Sequence, residues 1–323
     1  MKKALIVALI LVVILPQLLL SILPAGEIQG ETISTVAGIP AEKNVIPEIR
    51  ILDGEEIRLM QLDDYVACVV FGEMPASFEE DALKAQAVAV RTYTLHSIMG
   101  GNKHNDAHVC TEAACCQAFV HLKNDAEDRE GVEKVKRAVL DTTGEVITYH
   151  GNLIDATYFS CSGGKTEDAV AVWGANVPYL RSVDSPGEEN AGNFESQKTL
   201  SFQSFKSELG LPVSLSVTQD AIRIMRTNGG GVESLYISGY EYSGVEVRSL
   251  LALPSTNFSV TVLNDELVIA TKGNGHRVGM SQYGAEAMAV EGKDYKEILS
   301  HYYVGTALEK YTEQQINAIF DKG

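Results

Sequence analysis

The stretch Ser77-Phe78-Glu79-Glu80-Asp81-Ala82-Leu83-Lys84-Ala85-Gln86-Ala87-Val88-Ala89-Val90-Arg91-Thr92-Tyr93-Thr94-Leu95 decides how the rest of the chain is read. Its apolar positions Leu83, Ala87, Val90, Thr94 and Leu95 recur at helical spacing, which predicts a helix with one buried face. Ser77 is placed to cap that helix, with Glu80 completing a capping box, and Gly100-Gly101 ends it. Upstream, residues 48–52 read as a strand running into the Asp53-Gly54 turn, and residues 63–71 as a first helix. Downstream come a cysteine-bearing segment at 104–121 and an amphipathic helix at 127–141 built on Val132, Val135, Val139 and Leu140. Strands at 146–150 and 156–160 follow, then a long ordered loop at 162–193, a hairpin at 256–272 around Asn264-Asp265, and a final helix at 281–290. The expected class is α+β, with mixed helices and antiparallel strands in one large or two closely packed subdomains.

The 323 residues are 45% hydrophobic and 21% charged, an ordinary globular balance that can bury a core without disulfides. A formal net charge of -17 argues against nucleic acid as a partner, because phosphate binding needs clustered Lys and Arg. Met1-Lys2-Lys3 precedes an apolar run from residue 4 to 23, broken only by Pro16, Gln17 and Ser21. That is long enough to cross a bilayer, and the two lysines keep the extreme N-terminus inside. A cleaved signal peptide is the rival reading, but no clear small-x-small site is present around Pro24. The expected organisation is therefore a membrane anchor at 1–24, a linker at 25–46, an extracytoplasmic domain at 47–310 and a tail at 311–323.

Glu73 stands between the apolar Val69-Val70-Phe71 and Met74-Pro75. A carboxyl among apolar side chains loses hydration, so its pKa rises, which suits a general acid; an exposed loop glutamate is the plain alternative. Cys110, Cys115 and Cys116 lie within seven residues, near His104 and His108. They offer more ligands than one tetrahedral zinc takes, and a Cys3His set with His104 leaves no open position, so such a zinc is structural. Ser160 and Ser162 flank Cys161 in a glycine-rich turn and can bond sugar hydroxyls or their own backbone. Trp173 and Tyr179 can stack on sugar rings or pack in the core. His276, Ser281 and Gln282 surround a helix start, where Ser281 reads as an N-cap.

Taken in order, Gly72-Glu73-Met74-Pro75-Ala76, residues 83–93, Cys116-Gln117-Ala118-Phe119, the turn through Thr166-Glu167, Pro178-Tyr179-Leu180-Arg181-Ser182-Val183 and residues 276–284 resemble the stage II sporulation protein D family of lytic transglycosylases. The resemblance implies a membrane-anchored enzyme cutting peptidoglycan between N-acetylmuramic acid and N-acetylglucosamine during forespore engulfment. Its substrate would be glycan already stripped of stem peptides by a partner amidase. It implies Glu73 as the catalytic residue, with Arg91, Ser160, Ser162, Tyr179, His276, Ser281 and Gln282 as substrate contacts. It also implies His104, Cys110, Cys115 and Cys116 as zinc ligands, with no organic cofactor. The turn at 160–164 departs from the family's commoner Ser-Thr-Ser-Asn-Gly. Two other readings stay open: a wall-binding scaffold that enhances an amidase, and a zinc hydrolase using the cysteine cluster.

Overall fold

The chain turns first at Gly54, whose positive φ of 63° lets strand β1 (Glu48–Asp53) fold back as β2 (Glu56–Gln61). This computed structural model describes residues 47–101, 103–122, 129–264 and 266–322. The anchor and linker expected at 1–46 therefore lie outside the described residues, as do Asp265 and the first residues of the helix expected at 127–141. Helices α1 (Leu62–Glu73) and α2 (Glu80–Met99) follow, then the short strand β3 (Val109–Cys110) and helix α3 (Arg129–Asp141). Strands β4 (Glu145–Tyr149), β5 (Asn152–Leu153) and β6 (Tyr158–Phe159) lead to helix α4 (Ala169–Trp173), inside the segment expected as loop.

Next come β7 (Glu195–Ser201), α5 (Phe202–Glu208), β8 (Ile222–Arg226), β9 (Val232–Ile237), β10 (Tyr240–Ser243) and α6 (Gly244–Leu250). The expected hairpin is β11 (Asn257–Leu263) with β12 (Glu266–Lys272). The chain closes with β13 (Met280–Ser281), α7 (Gln282–Val290), α8 (Tyr295–Tyr302), β14 (Ala307–Lys310) and α9 (Glu313–Phe320). The helix at 281–290 is thus not the last. The residues set apart as a tail carry α9, which buries Ile316, Ile319 and Phe320.

Two apolar cores organise these elements. The larger gathers α1, α2, α3, α7, α8 and α9 with β1 and β4. At its centre α2 buries Ala85, Ala87, Val88, Ala89 and Val90 completely, so the helix is enclosed on several sides rather than along one face. Its alanines are the reason, since small side chains let neighbouring helices and β4 approach closely. The expected capping box at Ser77 does not form: the helix starts at Glu80, with Glu79 as N-cap and no side-chain cap.

The second core belongs to a lobe of antiparallel sheets, ordered β10-β9-β8 and β11-β12-β7. Its chain enters after Phe194 and leaves at Gly273, and the Gly273 N–H donates to the Phe194 carbonyl at 2.7 Å. Entry and exit are therefore side by side, as in an insertion. The class is α+β with antiparallel sheets, as expected; two short pairings, β1 with β3 and β6 with β13, are parallel. Among the described residues no helix is long and apolar enough to cross a membrane.

Candidate active site

Glu73 is the last residue of α1, where Met74 turns to extended backbone and Pro75 cannot continue the helix. Val69 and Val70 behind it are fully buried. Burial raises the Glu73 pKa above its ordinary value, and the bonds it accepts from Ala118, Gln282 and Tyr158 pull in the opposite direction without cancelling the rise. Its place at a helix C-terminus, the negative end of the peptide dipoles, also disfavours the carboxylate.

Three separate segments converge on this carboxyl. The Ala118 N–H donates to Oε1 at 2.8 Å, from the chain just after the cysteine cluster. That strand of chain runs against α1, and Val120 N–H reaches the Cys68 carbonyl at 3.2 Å. Gly72 eases the approach, because a Cβ there would sit a tight 3.1 Å from the Ala118 carbonyl oxygen. Gln282 Nε2 donates to Oε2 at 3.2 Å from the first residue of α7. Ser281 caps that helix, its Oγ accepting from Gly284 N–H at 3.2 Å, and β13 is fixed by pairing with β6. The same β6 carries Tyr158, whose hydroxyl donates to Gln117 Oε1 at 2.8 Å and lies close enough to Glu73 to lower its pKa slightly. Gln117 in turn donates to Thr94 Oγ1 at 2.9 Å and Tyr65 Oη at 3.2 Å. Among the described residues, none of these partners of Glu73 is a carboxylate. An open cleft of about 520 Å³ lies along the next turn, lined by Phe71, Met74, Pro75, Glu130 and Lys134.

The other expected substrate contacts divide. Ser281 and Gln282 are at the site, Ser281 as the N-cap. Ser160 is half-buried beside it, with Oγ accepting from Asn193 Nδ2 at 2.8 Å and its carbonyl taking the Tyr283 N–H. His276 stands behind Tyr158: its ring bonds the Tyr158 backbone, Nδ1 accepts from Val278 N–H at 3.1 Å, and Phe159 and Trp173 pack on it.

Arg91, Ser162 and Tyr179 are occupied elsewhere. Arg91 is fully buried, paired with Asp63 at 2.9 Å and bonded to the Glu145 carbonyl, so it braces α2 against α1. Ser162 is buried and gives both its N–H and its hydroxyl to Glu188. The Tyr179 hydroxyl accepts from Asp155 N–H at 3.0 Å, and its ring lies against Tyr149. Tyr158, Gln117 and the Ala118 N–H were not singled out as site groups from the sequence. The one available signal was the place of Gln117 and Ala118 inside the Cys116-Gln117-Ala118-Phe119 motif.

His104, Cys110, Cys115 and Cys116 bring their ligand atoms within 4.8 Å of one another. His104 Nε2 lies 3.5 Å from Cys116 Sγ and 3.7 Å from Cys115 Sγ. Tetrahedral zinc with bonds of about 2.3 Å to sulfur and about 2.0 Å to nitrogen spaces its ligand atoms about 3.6 Å apart, so the set fits. His108 is excluded from this set. Its Nδ1 accepts from Arg50 N–H at 3.1 Å and its ring stacks on Phe320.

The family described as "Stage II sporulation protein" matches residues 53–149. Stage II sporulation protein D of Bacillus subtilis (strain 168) is 35% identical over 264 residues, spanning 79% of this chain and 76% of that protein. The chain belongs to the stage II sporulation protein D family. A second such relative, from Bacillus amyloliquefaciens, is 35% identical over 257 residues, 77% of this chain and 74% of its own length. A protein named amidase enhancer, from Bacillus subtilis (strain 168), is 27% identical over 296 residues, 75% of this chain but 40% of that protein. The family match covers Glu73, α2 and the cysteine cluster together, so both the carboxyl and the candidate metal set lie in its most recognisable part.

Proposed function

We propose that this sporulation protein is a lytic transglycosylase of peptidoglycan, with Glu73 as its acid and then its base. The observation that carries this reading is a pKa-raised carboxyl that accepts from Ala118 N–H and Gln282, with no carboxylate among its bonded partners in the described residues. Hydrolysis of a glycoside ordinarily uses two carboxylates. A transglycosylase needs one. Protonated Glu73 gives its proton to the glycosidic oxygen as the muramic C1–O bond breaks, and the bond pair leaves with that oxygen. The Glu73 carboxylate then takes the proton of the muramic 6-hydroxyl while O6 bonds to C1, closing the 1,6-anhydro ring and restoring the acid. No water is consumed. Ala118 N–H and Gln282 support the carboxylate between the two stages.

In this reading His104, Cys110, Cys115 and Cys116 hold a structural zinc, which would supply rigidity to the chain leading into Ala118. Four protein ligands leave no position for an activating water, which disfavours a zinc hydrolase. The folded part from residue 47 through α9 would act outside the membrane, tethered by residues 1–24, on strands first cleared of stem peptides by an amidase. That assignment supports a role in engulfment.

The decisive experiment digests purified stripped glycan with the chain and seeks anhydro products by mass spectrometry. Wild type should release them, and Glu73→Gln should lose at least roughly 100-fold, the scale of general acid catalysis. Equal release by Glu73→Gln overturns the assignment. The resemblance to an amidase enhancer favours one second reading, a wall-binding scaffold. Stimulation of an amidase with no anhydro product from wild type would select it.

A further inference from the structure

We propose that Gln117 is a positioning residue that holds the Tyr158 hydroxyl proton away from Glu73 while Glu73 is an acid, and yields it once Glu73 is a carboxylate. This rests on the transglycosylase reading, in which one carboxyl must serve both stages. Tyr158 has a single hydroxyl proton and two acceptors within reach, Gln117 Oε1 at 2.8 Å and the Glu73 carboxyl. It cannot serve both at once.

The orientation of Gln117 is set by its other end. Its two amide protons face two oxygens, Thr94 Oγ1 at 2.9 Å and Tyr65 Oη at 3.2 Å. Thr94 and Tyr65 are fully buried and Gln117 is 4% exposed, so water does not substitute for these partners. With both N–H groups turned to these oxygens, the carbonyl faces Tyr158 at 2.8 Å. The amide therefore offers the hydroxyl a permanent alternative acceptor.

The groups facing the Tyr158 ring are Glu73 and Tyr65 from α1, Tyr93 from α2 and Tyr303 after α8. Burial pushes the Tyr158 hydroxyl far above its ordinary pKa, so it stays neutral and only the direction of its proton changes. A protonated Glu73 has no need of that donor, and the proton rests on Gln117. After Glu73 has protonated the leaving oxygen, its negative charge is the stronger acceptor and the hydroxyl turns to it. The carboxylate is thus stabilised in the stage where it is base, without being favoured to the same extent in the stage where it must be acid. No proton leaves Tyr158 at any point.

The test reads Glu73 directly, by carbon-13 carboxyl NMR titration of the purified full-length chain, with the Glu73→Gln spectrum identifying the resonance. Gln117→Met removes the competing acceptor, so the hydroxyl bonds Glu73 at all times and its pKa falls by roughly half to one unit, the worth of one net hydrogen bond. Tyr158→Phe moves it the other way. Thr94→Val, which frees one end of the amide, shifts it down by a smaller amount and decides the matter if Gln117→Met does not fold. Metal content equal to wild type shows that the neighbouring cysteine cluster is intact. An unchanged or raised Glu73 pKa in folded Gln117→Met overturns the proposal; a rise would mean that the amide N–H, not the carbonyl, faces Tyr158. The titration reports on Glu73 whether or not the chain cuts glycan. Loss of the transglycosylase reading would show separately, as wild type that releases no anhydro product.

Discussion

His276 and His108 take opposite places in the molecule yet share one electrostatic condition. Burial first, with a nearby arginine second (Arg248 for His276, Arg50 for His108), pushes each down to about 4 from the ordinary 6.5. Both rings are neutral at pH 7, so neither is a general acid there. The unfolded chain binds more protons than the folded one between these two values. Stability from the neutral rings is therefore complete above pH 6.5 and lost as pH falls toward 4. The raised carboxyls Glu73, Asp155 and Glu286 work in the opposite sense, so variants must be compared with wild type. Thermal melts of His276→Gln and His108→Gln should lose less Tm than wild type between pH 6.5 and 4; parallel curves would refute the neutral assignment. Glu73 itself was legible at this scale, because the apolar residues on either side already predict a shielded carboxyl; that it ends α1 came only from the structure. Arg91 was not. A lone arginine in a motif reads equally as ligand or brace, and only its burial against Asp63 shows the brace.

At the scale of elements, the chain from His104 to Ala118 links the two candidate sites. Cys110 lies in β3, which pairs with β1, and Cys116 stands two residues before the N–H that bonds Glu73. If the cluster holds one zinc, the protein should carry one equivalent by elemental analysis, and chelation should lower Tm. His104→Ala should lose the metal, whereas His108→Ala should retain it, since the His108 ring is committed to Arg50 and Phe320. Metal retained in His104→Ala would contradict the ligand set. The cluster was visible from spacing, but the choice between two histidines was not, because both are within reach of the cysteines along the chain. Helix α2 was likewise recognised from its periodicity, while its enclosure depends on partners distant in sequence. The missed helices α8 and α9 have shorter apolar stripes that make sense only against a core built elsewhere.

For the whole molecule, the inserted lobe is joined to the larger body by a buried ion pair. Arg277 is fully buried, bonded to Glu167 at 3.0 Å and to the carbonyls of Ser162, Lys165 and Gly229. Glu167 also accepts from Thr227 and Gly231 of the lobe. Arg277→Met strands a buried carboxylate and should cost about 3–5 kcal/mol in denaturant unfolding, with Glu167→Gln/Arg277→Met costing less than the single change. A loss below about 1 kcal/mol would mean that the pair is not what holds this junction. Of the lobe only the β11–β12 hairpin was legible; residues 194–255 carry strands and short helices whose polar, half-exposed faces give no clear period. By itself the sequence determined the α+β class, the central helix, the shielded glutamate and the cysteine cluster, because each depends on local spacing and composition. The tertiary structure alone decided which polar groups reach Glu73. Ala118, Tyr158 and Gln282 lie 45, 85 and 209 positions from it in the chain, and no local pattern encodes a meeting at that range.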